Sequence, residues 1–433
     1  MAYNKADTTM SRRQYSTGSV YQRSSDGRWF GSIQAGFTAN GTRRRITVSG
    51  KSKSVVLRRL KDKQLELDRA GAANTRRTIT VAKWAQTWLD GIKAHVSPSA
   101  YETDKAAVRW ITLTIGHLKL TDLTPESVRA IAVAIRKNGG SSSTALRYHG
   151  SLIRLLKSAA LEGYLIPPNV LLTKKPTAAV SDREPLNIDD CITVLGYLQQ
   201  RDDAGTLVRP DSSRWSVSLL QGIRQAEALG LTWDEVDLEA RTITIQWQVK
   251  SLRYLDRQNP AAGFRVPDGY EARHLIGATH LVRPKSRAGW RTIPMIPWVH
   301  AALTEWAKVT PANKHRLVWP GRTTKSGTWP RNVATDREQW AEIQTALGIA
   351  HPADRTYVVH EIRHTTATLL MELKVPESIR TAILGHSSMA STQIYEHVDP
   401  AQILAALGGV GNLLKLEQSG VFVLEAPGDV VPL

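Results

Sequence analysis

The sequence predicts a multidomain chain, mainly α with small β elements (α+β). Three observations lead there. At 433 residues the chain is long enough for two or three separate cores. Apolar residues recur at helical spacing along most of it. Short strand-like runs bounded by turn residues gather in residues 18–48 and 242–295, with one more at 317–319.

Composition narrows the class. Cys191 is the only cysteine, so a disulfide framework and a cysteine-based zinc site are both excluded, which suits a reducing cytoplasm. No apolar run reaches the length of a membrane span and no signal-peptide core opens the chain, so a cytoplasmic protein is expected. The net charge of +18 points to a polyanionic partner, and it is unevenly placed. Residues 1–77 hold 17 Lys and Arg against 5 Asp and Glu, residues 78–177 hold 13 against 6, and residues 178–433 hold 27 against 28. No basic amphipathic helix with a broad apolar face accompanies that charge, which disfavours a membrane surface.

Residues 1–17 are polar and expected to be disordered. Strands follow at Ser19–Gln22, Arg28–Ile33 and Arg43–Val48, separated by the turn pairs Asp26-Gly27 and Asn40-Gly41, and a helix spans residues 54–69. Such a β-ribbon fits the DNA major groove, with Arg28, Arg43, Arg44 and Arg45 as candidate contacts; the alternative is a solvated basic tail. Residues 71–77 read as a linker. Thr80 then caps a helix bearing Val81, Trp84, Ala85, Trp88, Leu89 and Ile92, and helices over 101–115, 124–136 and 143–162 complete a bundle. Its outward Lys105, Arg109, Arg147 and Lys157 are further candidate DNA contacts, while the tryptophan stripe reads as core.

A second linker covers residues 173–184. Helices are expected from Asn187 to Gln200, over 212–221, 298–308 and 334–347. A strand is expected over 242–249, a hairpin formed by 279–284 and 290–295, and a short strand over 317–319. The Gly408-Gly409 pair should break the helix around Ile403–Leu407, ahead of an apolar run at 421–424.

The chemistry concentrates in residues 359–398. His360 and Arg363 are three apart and share a helix face, so an imidazole and a guanidinium fork can reach one oxyanion. Gly385 ends a helix just before His386, and Tyr395 lies nine residues beyond. This His-x-x-Arg-His, Leu-Gly-His, Tyr order resembles the tyrosine recombinases, the phage integrase family. Two upstream stretches extend the resemblance: Gly222-Ile223-Arg224-Gln225-Ala226-Glu227, and Pro284-Lys285-Ser286 followed by Arg291-Thr292-Ile293-Pro294.

The resemblance implies Tyr395 as nucleophile, Arg224 and Arg363 as the phosphate clamp, and His386 as a further hydrogen-bond donor. It also implies His360 as base, Lys285 as acid and Glu227 in support, with no metal or other cofactor. It further implies an arm-site DNA-binding domain at 1–70, a helical core-binding domain at 78–172, a catalytic domain at 185–410 and a tail at 411–433 that docks in cis or in trans. The partners implied are double-stranded DNA at core and arm sites, three further copies of the chain in a homotetramer, a host DNA-bending protein and an excisionase, in the host nucleoid. A catalytically inactive DNA-binding regulator and a chromosome-dimer-resolving recombinase are the alternatives. The segment 250–280 is longer than the family's connection.

Overall fold

The computed structural model describes residues 19–37, 43–69, 79–284, 289–324, 327–385 and 398–417. Two compact units make up the chain, Met1–Val180 and Ser181–Leu433.

In the first unit, strands β1 (Ser19–Gln22), β2 (Trp29–Phe37) and β3 (Arg43–Gly50) form an antiparallel sheet in chain order. Asp26 builds the first turn by accepting from the backbone N–H of Arg28 at 3.2 Å, and the side chain of Arg23 pairs with it. Helix α1 (Lys53–Arg69) closes the sheet by burying Val56 and Leu60 against Ile33. The candidate contacts Arg28 and Arg45 are exposed, whereas the side chains of Arg43 and Arg44 lie outside the described residues.

The bundle comprises α2 (Val81–Ile92), α3 (Pro98–Ile115), α4 (Pro125–Lys137), α5 (Ser142–Leu161) and a short α6 (Pro168–Leu171). Thr80 caps α2 as expected, and Thr124 forms a capping box with Ser127. Helix α3 begins three residues earlier than expected, because Pro98 occupies its first turn, where a missing N–H costs nothing. Pro167-Pro168 starts α6 for the same reason instead of only breaking the chain, and Val170 is then buried. Trp84 and Trp88 are core residues: both are buried, and the indole of Trp84 donates to the carbonyl of Leu155 at 3.0 Å. Lys105, Arg109, Arg147 and Lys157 are all exposed.

In the second unit a helical core is built from α7 (Ile188–Leu198), α8 (Ser213–Gln221), α9 (Gln225–Leu229), α10 (Pro297–Val309), α11 (Val333–Leu347), α12 (Val359–Glu372), α13 (Glu377–Leu384) and α14 (Pro400–Leu413). At its edge run β4 (Val236–Asp237), β5 (Thr242–Ile245), β6 (Gln248–Ser251), β7 (Ala272–Ile276), β8 (Thr279–Val282) and β9 (Arg291–Pro294).

The strands correct three expectations. Residues 242–249 are not one strand: β5 joins the sheet β4-β5-β9 and β6 joins β6-β8-β7, with the ladder interrupted at Gln246-Trp247. Nor do β8 and β9 pair with each other as a hairpin. Thr242–Ile245 face Pro294–Arg291, and Gln248–Ser251 face Val282–Thr279, so one long antiparallel ladder breaks off after Val282 and resumes at Arg291, with residues 285–288 outside the described residues. Two residues on one side oppose eight on the other, an outsized version of the mismatch that defines a bulge. Lastly, only Leu317 of residues 317–319 forms a bridge, to Thr232, and the hairpin follows as β10 (Pro320–Thr324) and β11 (Gly327–Pro330).

Gly408-Gly409 does not end a helix, since α14 runs through it. The helix is glycine-rich where it packs closely: a Cβ on Gly411 would sit 2.3 Å from the indole of Trp298. Leu414 and Leu416, just past α14, are buried in the same core, and the run at 421–424 lies outside the described residues.

Candidate active site

Three elements converge. Helix α8 ends at Gly222, whose φ of 62° is the left-handed conformation that glycine adopts without strain. A Cβ there would also lie 2.7 Å from Leu384. The turn places Arg224 at the N-cap of α9. Helix α12 delivers His360, Arg363 and His364, of which Arg363 is buried and both histidines are exposed. Helix α13 ends at Gly385 in the left-handed conformation, as its position ahead of His386 suggested.

The last carbonyls of α13 are where the guanidinium groups meet. Arg291 donates from Nε to Ile383 O at 2.7 Å, Arg363 donates from Nη2 to Leu384 O, and Arg224 donates from Nη2 to Gly385 O at 2.8 Å. Three successive carbonyls at the negative end of a helix each receive one arginine. Arg363 also donates from Nη1 to Gly222 O at 2.7 Å, tying the two glycine turns together.

Glu227 is the one carboxylate hydrogen-bonded to this cluster among the described residues. It accepts from the backbone N–H of Arg224 at 2.9 Å, from Arg224 Nη1 at 2.5 Å and from Arg291 Nη2 at 2.9 Å. Burial alone would raise its pKa, but Arg291 and then Arg224 outweigh it and hold the carboxyl at about 2. Burial and the neighbouring Arg224 and Arg291 lower Arg363 to about 9. It therefore remains a cation at neutral pH. Arg224 and Arg291 share this one carboxylate and Arg363 bonds only carbonyls among the described residues, so the three-guanidinium cluster is short of negative charge.

The imidazole of His360 is shifted below its ordinary range, first by local burial of the ring and then by the charges of Arg183, Arg363 and Arg224. It is thus neutral near pH 7 and able to accept a proton. A second network holds the start of α12. Buried Glu361 accepts from Arg355 at 2.7 and 2.9 Å and from the Val358 N–H at 2.6 Å, and Arg355 also pairs with Asp182. Behind Arg224, Gln225 donates to Asp336 at 2.8 Å, and Asp336 is itself paired with fully buried Arg214.

Of the expected catalytic residues, the structure gathers Arg224, Glu227, His360 and Arg363. Lys285, His386 and Tyr395 lie outside the described residues. Two groups were not singled out from the sequence. One is Arg291, whose signal was its register: it shares a strand face with buried Ile293, an inward position where a charge needs a partner. The other stands where the ladder breaks off after β8. Arg283 lies 3.9 Å from the ring of Trp247 and 4.3 Å from that of Trp290, and it pairs with Glu271 through two contacts of 2.9 Å. Glu271 belongs to the long 250–280 segment, so that segment braces this end of the ladder.

The sequence profile of the phage integrase family matches residues 271–402. An integrase of Saccharopolyspora erythraea is 23% identical over 428 residues, covering 86% of this chain and 91% of the relative. Tyrosine recombinase XerD of Mycobacterium tuberculosis is 25% identical over 332 residues, covering 73% and 93%. Among solved structures, the Tn1549 transposon integrase in complex with a circular intermediate DNA superposes with a TM-score of 0.58 at 17% identity, over 76% of this chain and 99% of that one. The same integrase with transposon right end DNA gives 0.56, so the fold is shared. The ordered motifs, the arginine cluster and these likenesses agree: residues 271–402 match the phage integrase family, and the chain is similar to integrases and tyrosine recombinases along most of its length.

Proposed function

We propose that the chain is an integrase-type site-specific DNA recombinase that cuts and rejoins DNA through a 3'-phosphotyrosine on Tyr395, inserting and excising a phage or mobile element. One observation carries the reading: the donor count at Arg224 and Arg363. A guanidinium has five N–H donors. Arg224 and Arg363 each direct two links to oxygens of the described residues, leaving three N–H groups apiece without a partner among those residues, in a cluster whose three guanidinium groups have one carboxylate. A phosphodiester supplies a second anion. The integrase and recombinase relatives, and the solved integrases with DNA, support the same reading.

In the step we assign, the Tyr395 oxygen forms a bond to phosphorus while the bond to the 5'-oxygen breaks. The phenolic proton passes to neutral His360, and Lys285 gives a proton to the departing 5'-oxygen. Arg224, Arg363 and His386 stabilise the charge that gathers on the non-bridging oxygens, and removing one such donor typically costs about 3–4 kcal/mol of barrier. The phosphoester bond is conserved, so rejoining needs no nucleotide.

The division into arm-binding, core-binding and catalytic domains, a homotetramer on two duplexes, and help from a bending protein and an excisionase complete the proposal. The basic excess of residues 1–177 supports DNA as the partner of the N-terminal part. The test is a denaturing gel of protein with nicked suicide duplexes tiled across the junctions of its own genomic neighbourhood. Wild type should give a shifted covalent band and Tyr395→Phe none, with binding retained. A normal band from Tyr395→Phe would remove Tyr395 from the mechanism.

A further inference from the structure

We propose that Arg291 is a positioning residue for the recombination step, aiming the guanidinium of Arg224 at the phosphate through the carboxylate the two share on Glu227. The inference rests on the recombinase reading above. What separates Arg291 from the two clamp arginines is again the donor count. Nε donates to Ile383 O at 2.7 Å, Nη2 to Glu227 at 2.9 Å, and Nη1 approaches Gly289 O at 3.2 Å and Glu227 at 3.4 Å. All three nitrogens are engaged, and the side chain is only 6% exposed against 34% for Arg224. Arg291 therefore has little to offer a substrate. Its bonds all go to groups that fix the clamp.

The geometry explains how. On Glu227, Oε2 accepts from Arg291 Nη2 and from the Arg224 backbone N–H, while Oε1 accepts from Arg224 Nη1 with Arg291 Nη1 3.4 Å away. With Arg291 absent, Arg224 would be the only guanidinium left on the carboxylate among the described residues, and the acceptor position vacated on Oε2 would draw it into a closed fork–fork pair and away from the cleft. At the same time the Ile383 carbonyl would lose its donor, loosening the helix end that anchors Arg224 and Arg363. Arg291 also resumes the ladder directly after residues 283–290 and bonds the Gly289 carbonyl, so one side chain ties that ladder end to the clamp. Lysine cannot replace this, since an ammonium is a point donor that cannot span Ile383 O and a carboxylate in one plane.

The test compares wild type, Arg291→Ala, Arg291→Lys, Glu227→Gln and the Arg291→Ala/Glu227→Gln double variant on the suicide duplex, with Tyr395→Phe as control. At saturating DNA, Arg291→Ala should slow adduct formation roughly 10- to 100-fold, the range seen when an outer partner of a reacting group is lost. Binding of the same duplex should change little. The double variant should be faster than Arg291→Ala, because the unshared carboxylate that captures Arg224 is gone. Loss of Arg291 removes the main influence holding Glu227 ionised, so Arg291→Ala should show a new fall in rate on the acid side, which Arg291→Lys abolishes while restoring only part of the rate.

Unchanged rate in Arg291→Ala would overturn the inference and leave the recombinase reading standing. So would strictly additive effects without the new acid limb, which would mark Arg291 as structural only. No adduct from wild type on any tiled duplex would overturn the recombinase reading and the inference with it.

Discussion

Glu227 shows most directly how single residues carry the site. Its carboxyl sits at about 2 in the folded chain, below an ordinary glutamate value of roughly 4.3. A depressed carboxylate stabilises the fold fully above the unfolded value, and that stabilisation is lost as pH falls from about 4.3 toward 2. Denaturant melts between pH 6 and 3 should therefore show wild type losing stability relative to Glu227→Gln as acid is added. Equal slopes would mean that Arg291 and Arg224 do not hold the charge. In the proposed mechanism His360 has the opposite chemistry: its neutral form would be the useful one, so the rate should fall with acid around a midpoint below about 6.5, and His360→Asn should abolish that limb. Residue identities at the site were legible because spacing within one helix or turn is local; Arg291 was not, since its role depends on strands and helices that meet only in the fold.

At the scale of elements, the glycines of α14 separate two uses of one residue type. Alanine at either position should gain about 1 kcal/mol of helix propensity. At Gly408 nothing lies within 4 Å of the new Cβ, whereas at Gly411 the indole of Trp298 is at 2.3 Å, where overpacking costs about 1–3 kcal/mol. Thermal melts should show Gly408→Ala raising Tm and Gly411→Ala lowering it; the reverse order would mean that α14 is not seated as described. The sequence reading took Gly408-Gly409 for a break because pattern alone cannot tell a glycine that ends a helix from one that lets helices approach. The β elements had the same weakness. Residues 279–295 look like a hairpin locally, but their partners are β6 and β5, some thirty to fifty residues upstream, and no local signal specifies that register.

Across the whole molecule, charge and burial divide the labour. The second unit is nearly neutral overall yet buries an ion pair, Arg214 with Asp336, whose two side chains are fully enclosed. Breaking such a pair by removing one partner typically costs about 3–5 kcal/mol, so Asp336→Ala should unfold well below wild type in a denaturant titration. Arg214→Met combined with Asp336→Leu should recover the part of that loss due to Arg214 and not the part due to Arg331, which also pairs with Asp336 at 3.0 Å. Equal destabilisation by the double and single variants would mean that Arg214 contributes none of it. The proposed function assigns the basic N-terminal residues to DNA rather than to chemistry. Deleting residues 1–70 should leave adduct formation at the core duplex intact while weakening retention on longer DNA, most strongly at low salt, and an equal loss of both would contradict a separate arm-binding role. The uneven charge behind that expectation was readable from counts alone, because net charge along a chain does not depend on how the chain folds.

The central claim is that the arginine cluster presents a phosphodiester to Tyr395. Its most direct measurement is peptide mapping by mass spectrometry of the trapped protein–DNA adduct after nuclease and protease digestion. The nucleotide should be found on the peptide containing Tyr395, joined through a 3'-phosphate with a free 5'-hydroxyl on the released strand. A nucleotide on any other residue, or a 5'-phosphate linkage, would contradict it.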